Sequence, residues 1–243
     1  MKKIIKLIIL LIVCLSIYYI YLYQNNNKIN YTSIGDGFAA GVNSFSDKNY
    51  GYSNYISDNL KEEGILKNSY LNFTSKDMTI NDLKNMVLLN YHDQEQNNIK
   101  QVLRETQILT ISVGINDLIY KMNSENIITN YQKEKILTEI VDKLDLTIQE
   151  IRKYYKYNIY LVGYYNFYPQ NSVERKLLEE LNNRYKEYSN KNNIIFVDNK
   201  NMNNSLFTYL DNPNNFYPNI SGYRKIANNI LIKISKNEKT LEK

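Results

Sequence analysis

The sequence predicts an α/β protein: a three-layer α/β/α sandwich built on a five-stranded parallel sheet and preceded by one N-terminal transmembrane helix. Three observations predict it. Five short, β-rich apolar runs alternate with amphipathic helical stretches, which favours right-handed crossovers and a parallel sheet covered on both faces. The chain has 243 residues, 43% of them hydrophobic, enough for one full core. A lysine-flanked apolar run stands ahead of the first strand.

Residues 1–24 read as an uncleaved membrane anchor. Leu7 to Tyr23 is an apolar run interrupted only by Cys14 and Ser16, about 26 Å long as a helix and close to the ~30 Å of a bilayer core. A cleaved signal has a shorter apolar region and a small-residue cleavage site; this run instead ends in Tyr18, Tyr19, Tyr21 and Tyr23, rings suited to a membrane interface. Lys2, Lys3 and Lys6 precede it and only Lys28 closely follows, which puts the N-terminus in the cytoplasm and the folded domain outside the cell membrane. Cys14 is the single cysteine, so the fold has no internal disulfide. Val13 precedes it where a bacterial lipoprotein signal carries a small residue, which argues for an apolar cysteine rather than a lipidated one.

Residues 25–30 form a polar tether and 31–235 the folded domain. Strand candidates are Ile29 to Ile34, Ser69 to Phe73, Gln107 to Val113, Asn158 to Gly163 and Ile194 to Val197. Between them, Tyr52 to Glu63 places Tyr52, Tyr55, Ile56 and Leu60 on one helical face and stops at Gly64. Thr79 and Asp82 form a capping signal for a helix through Leu89. Tyr131 to Tyr155 spaces Ile136, Ile140, Leu144, Ile148 and Ile151 at three and four, a core-facing stripe. Val173 to Asn190 and Tyr223 to Ile234 repeat the pattern, and 236–243 reads as a disordered charged tail.

Charge excludes one class of partner. The net charge is +5, of which Lys2, Lys3 and Lys6 supply three, too little elsewhere for a nucleic-acid surface. The 24 tyrosines, against 7 phenylalanines and no tryptophan, point to no ligand by themselves.

Ligands of open parallel sheets bind beyond the carboxyl ends of the strands, so the post-strand segments matter most. Four stand out: "IGDGFAAG" (Ile34 to Gly41), "NFTSKDMTINDL" (Asn72 to Leu83), "SVGINDL" (Ser112 to Leu118) and "FYPNISGYRKIA" (Phe216 to Ala227). Their order and strand-end placement resemble the SGNH, or GDSL-type, hydrolase family over the whole chain after the tether, as does "GYYNFYP" (Gly163 to Pro169). The third block carries the most specific match, with Gly114, Asn116 and Asp117 straight after an apolar strand.

The resemblance implies a flavodoxin-like strand order and an acyl-transfer or deacetylation site: a serine nucleophile from the first block, oxyanion donors from the second and third, and an Asp-x-x-His pair from the last. This sequence departs from that pattern at nearly every position. Gly37 stands at the nucleophile position, Asp77 at the glycine oxyanion position, Tyr217 at the histidine and Asn214 at the aspartate; Asn116 alone matches. Glycine cannot form an acyl-enzyme, and a tyrosine with a pKa near ~10 is a poor proton acceptor at neutral pH. A carboxylate at Asp77, if aimed into the cleft, would repel the developing oxyanion.

The reading is therefore a pseudoenzyme without catalytic residues or cofactor, displayed outside a bacterial membrane. It acts by binding cell-wall glycan or an envelope protein through a cleft of Asp36, Gly37, Asp77, Asn116 and Tyr217. The enzyme-class alternative is an active esterase or acylhydrolase with replacement residues. His92, the only histidine, stands beside Asp93 in a polar stretch expected to be a surface loop. Ser33 and Ser112 lie within strands that turn them away from the cleft or bury them. Asp36, Asp77 and Asn116 offer oxygen ligands to a cation only weakly, because Asp36 and Asp117 also suit the caps of turns and helices. Tyr217 has two readings open to it: a plug in the old site beside the bare Gly37, or one wall of a binding groove.

Overall fold

The computed structural model describes residues 6, 9–16, 18, 28–124, 129–212 and 215–241. Five parallel strands form one sheet: β1 (Ile29–Gly35), β2 (Leu66–Thr74), β3 (Ile108–Ser112), β4 (Ile159–Val162) and β5 (Ile194–Val197), in the order β2-β1-β3-β4-β5. The three central strands are almost wholly buried, as a sheet covered on both faces requires. The sheet is flavodoxin-like, with its topological switch between β1 and β3. There Ile34 pairs with Ile111 and Gly35 with Ser112. Gly35, at φ +135°, allows that approach, because a Cβ on it would run into the Ser112 carbonyl.

The helices are α1 (Gly37–Ala40), α2 (Tyr52–Glu62), α3 (Ile80–Leu88), α4 (Ile99–Glu105), α5 (Ile115–Ser124), α6 (Asn130–Arg152), α7 (Val173–Lys191), α8 (Leu206–Tyr209) and α9 (Ile220–Leu241). Thr79 and Asp82 close a reciprocal capping box on α3, with Asp82 N–H to Thr79 Oγ1 at 3.2 Å and Thr79 N–H to Asp82 Oδ2 at 2.9 Å. The predicted stripe of α6, from Ile136 to Ile151, is buried.

Several boundaries differ from expectation. β1 starts at Ile29 as the strand reading expects, its N–H paired with the Ile65 carbonyl at 2.8 Å, so the stretch 25–30 read as tether overlaps it by two residues. The short α4 and the α5 helix that opens on the third block were not anticipated as helices. α9 begins at Ile220 and runs to Leu241, through most of the stretch expected as a disordered tail. Its buried face is Tyr223, Ile226, Ala227, Ile230 and Ile234.

The anchor expected over residues 1–24 lies largely outside the described residues. Residues 9–16 are helical and exposed, and among the described residues no helix is long and apolar enough to cross a membrane.

Candidate functional site

β1 leads through Asp36 into α1 at the switch point. Asp36 caps α1, accepting the Phe38 N–H on Oδ1 at 3.1 Å. Ser112 Oγ, from the end of β3, donates to the same Oδ1 at 2.8 Å, and Tyr164 Oη, just past β4, donates to Oδ2 at 2.6 Å. Three strand ends thus converge on one carboxyl that is wholly buried. Burial pushes its pKa up to about 7, against the pull of the Tyr164, Ser112 and Phe38 donors, which favour the charged form.

Gly37 is the first residue of α1 and is itself buried. The side chain that would grow from it has no room: a Cβ there would lie 2.5 Å from Cε1 and Cζ of Tyr217 and nearer still to its hydroxyl. The Tyr217 ring is buried, and its hydroxyl donates to the Lys76 carbonyl at 3.2 Å. Its backbone is held as firmly, with Ser44 Oγ donating to its carbonyl at 2.6 Å and its N–H donating to Asn215 Oδ1 at 3.1 Å. Burial first, then the charges of Asp36 and Asp77, raise the Tyr217 pKa above that of ordinary tyrosine.

Aromatic rings close the rest of the cleft. Phe38 packs against Tyr164 at 5.2 Å, Tyr217 at 5.5 Å and Phe216 at 6.1 Å between centroids, and Phe216 stacks on Phe167 at 4.7 Å. The Tyr165 hydroxyl donates to the Phe216 carbonyl. Beneath, Tyr223 Oη donates to the carbonyls of Val42 at 2.5 Å and Gly37 at 3.3 Å.

The matched Asn116 heads α5, and its amide nitrogen donates to the carbonyls of Lys76 at 3.0 Å and Met78 at 2.9 Å. It ties the loop after β2 to the loop after β3. The next residue does the same: Asp117 is buried and accepts the Ile80 N–H at 2.9 Å. Burial raises its pKa, with the Ile80 donor and Lys143 opposing. Asp77 is exposed on the same loop. Asn214 lies outside the described residues.

The structure therefore brings Asp36, Gly37 and Tyr217 together and joins Asn116 to them through the Lys76 carbonyl that both Asn116 and Tyr217 use. Ser33 is buried and donates to Tyr52 Oη at 3.4 Å. His92 is exposed and meets Asn98 at 3.2 Å, in a loop whose Asp93 carboxylate accepts the Glu95 and Asn97 N–H groups. Among the described residues no three of His, Cys, Asp or Glu group as metal ligands. Tyr164 escaped the sequence reading although it lies in a quoted block. Its signal was position alone, two residues beyond a buried strand.

The sequence model of the GDSL-like Lipase/Acylhydrolase family matches residues 33–225. The chain belongs to that family. No curated protein sequence matches it. Solved structures similar to this family member include a lipase from a goat rumen metagenome (TM-score 0.71, 16% identity, covering 84% of this chain and 97% of that one). Others are Axe2, an acetylxylan esterase from Geobacillus stearothermophilus (0.63, 18%, 85% and 94%), and an α/β hydrolase from the metagenome of Lake Arreo, Spain (0.56, 19%, 84% and 94%). At such identities they establish the fold that this family member shares. Two structures of the acetylxylan esterase are described as catalytic mutants, one with a serine and one with a histidine replaced by alanine.

Proposed function

We infer that this family member has lost acyl transfer and works by binding, as an extracytoplasmic domain held on an N-terminal membrane anchor. One observation carries the loss of chemistry: the Tyr217 ring fills the volume that a nucleophile at Gly37 would need. Asp36 is enclosed by three donors, and the Asn116 amide is committed to two carbonyls, so neither is presented to a substrate carbonyl. Loss of the nucleophile or base from a comparable triad lowers turnover roughly a millionfold, and further losses add little.

A filled cleft favours a protein partner in the cell envelope over a glycan threaded between Gly37 and Tyr217. The apolar run and the Lys2, Lys3 and Lys6 asymmetry support the anchored, outward placement. The test is incubation of the purified chain with a fluorophosphonate and with activated acetyl esters, read by intact-mass spectrometry and by released alcohol. No adduct and no turnover above buffer are expected. A covalent adduct on any side chain of the Asp36–Gly37–Tyr217 cluster would restore the esterase reading.

A further inference from the structure

The opposite edge of the sheet, where the strands begin, carries a feature the former active site does not explain. In this alternating fold α2, α4, α6 and α7 each descend to that edge before the next strand starts. Exposed cations collect there: Lys28 ahead of β1, Lys67 at the start of β2, Arg104 at the end of α4, Lys156 ahead of β4, Lys191 at the end of α7 and Lys236 on α9. The exposed acids of the same connections are fewer, Glu62, Glu63 and Glu105. Arg104 and Lys191 complement the partial negative charge of helix C-termini. Lys28, Lys67 and Lys156 end no helix, so that complement does not account for them.

At this end opens a cavity of about 370 Å³ lined by Ile29, Ile108, Tyr157 and Tyr160 together with Gln107, Asn158, Asn237 and one of these cations, Lys156. The Tyr157 ring is 51% exposed. A largely apolar recess with one lysine and a half-exposed tyrosine in its lining, on an end of the domain rich in exposed cations, matches the depth profile of a bilayer interface.

Chain connectivity supplies the orientation. Only Gln24 to Lys28 separate the end of the apolar run, Tyr23, from Ile29, and that stretch spans at most about 20 Å when extended. A domain so tethered presents this edge to the lipid. We propose that the strand-start edge docks on the headgroups of an anionic phospholipid bilayer, turning the Tyr217 end away from the membrane. The proposal rests on the anchored reading above.

The test separates the two. Among the described residues the core draws on none before Ile29, and the apolar residues described at 9–13 are exposed, so a chain beginning at Lys28 keeps its whole core. Its cosedimentation is measured with phosphatidylcholine vesicles and with vesicles containing roughly a third phosphatidylglycerol. Binding to the anionic vesicles alone is expected, lost at high salt. Lys156→Glu should weaken it roughly 25-fold, since each cation near such a surface contributes about fivefold and charge reversal counts twice. Lys48→Glu, at the far end, should leave it unchanged. Equal binding to both vesicles, no binding, or an equal loss from Lys48→Glu overturns the docking proposal. Alkaline carbonate extraction of the full chain from cell membranes tests the anchor independently: release of the full chain while the truncated chain still binds anionic vesicles removes the anchor and leaves the docking surface.

Discussion

The Tyr217 ring occupies the space beside Gly37 so closely that a Cβ at position 37 would lie 2.5 Å from its Cε1 and Cζ, and ring and side chain exclude each other. Gly37 leaves free the space that the Tyr217 ring fills, and the ring's hydroxyl donates to the Lys76 carbonyl. Tyr217 is thus held by the fold through its ring and its backbone alike. It is a packing element whose presence requires glycine at the head of α1.

Gly37→Ser should therefore destabilise the protein without creating an esterase. A side chain forced into a filled site costs about 1–3 kcal/mol through displaced neighbours. Tyr217→Ala alone should cost about 3–5 kcal/mol as a cavity. Combined, the two should cost less than their sum, because each relieves the defect of the other. Urea denaturation of the four proteins reads the coupling. Strict additivity would show that the ring and the missing side chain do not compete.

Asn116 distinguishes a catalytic residue from a structural one through stability. Its amide faces two carbonyl oxygens, Lys76 and Met78. Asn116→Asp replaces that donor with an acceptor against both and should cost about 2–3 kcal/mol, whereas a residue held ready for substrate would tolerate the change. Thermal unfolding of the variant decides. An unchanged midpoint would mean the amide is not needed where it lies.

Much of this was legible in the sequence because periodicity and capping act locally. The Thr79–Asp82 box, the α6 stripe and the apolar β3 run each state their own structure. The residue types at 37, 77 and 217 were equally plain. The direction of the Tyr217 ring was not legible, since it is set by Ser44 and Asn215, which grip its backbone from another loop and from its own. Nor was the role of Tyr164: nothing local says that a tyrosine after β4 will reach a carboxyl after β1, 128 positions away. Part of the tyrosine abundance, which points to no ligand, is structural. Tyr155, Tyr165, Tyr185 and Tyr223 each bury a ring and donate to a main-chain carbonyl.

Asp36 should make the protein less stable as pH rises from acid to neutral. Its native pKa of about 7 lies above the unfolded value of 3.8. Below the lower value both states hold the proton and burial carries no charge penalty. Between the two, the unfolded chain releases a proton that the native state keeps, so stability falls, and above the upper value the loss is complete. Between about pH 5 and about pH 8 this amounts to roughly 2–3 kcal/mol. Asp36→Asn removes the proton and should flatten that component. The difference in unfolding free energy between wild type and variant, measured across the range, must narrow towards alkaline pH. A constant difference would place Asp36 in the ordinary carboxylate range.

Tyr164→Phe tests the same carboxyl from its donor side. The hydroxyl donates to Asp36 Oδ2 at 2.6 Å and accepts the Ile115 N–H at 3.3 Å. Without it the charged form of Asp36 loses its nearest support while burial persists, so the native pKa must move further up. The fall in stability should then continue past neutrality instead of levelling there. Below about pH 3, with Asp36 protonated in both states, the variant should cost only about 1 kcal/mol, the worth of a neutral hydrogen bond. At about pH 8 it should cost roughly twice that or more, because a bond to an ionised group is lost. An equal cost at both pH values would mean that Tyr164 does not hold the carboxylate. The convergence of β1, β3 and β4 on Asp36 would then be packing without electrostatic consequence.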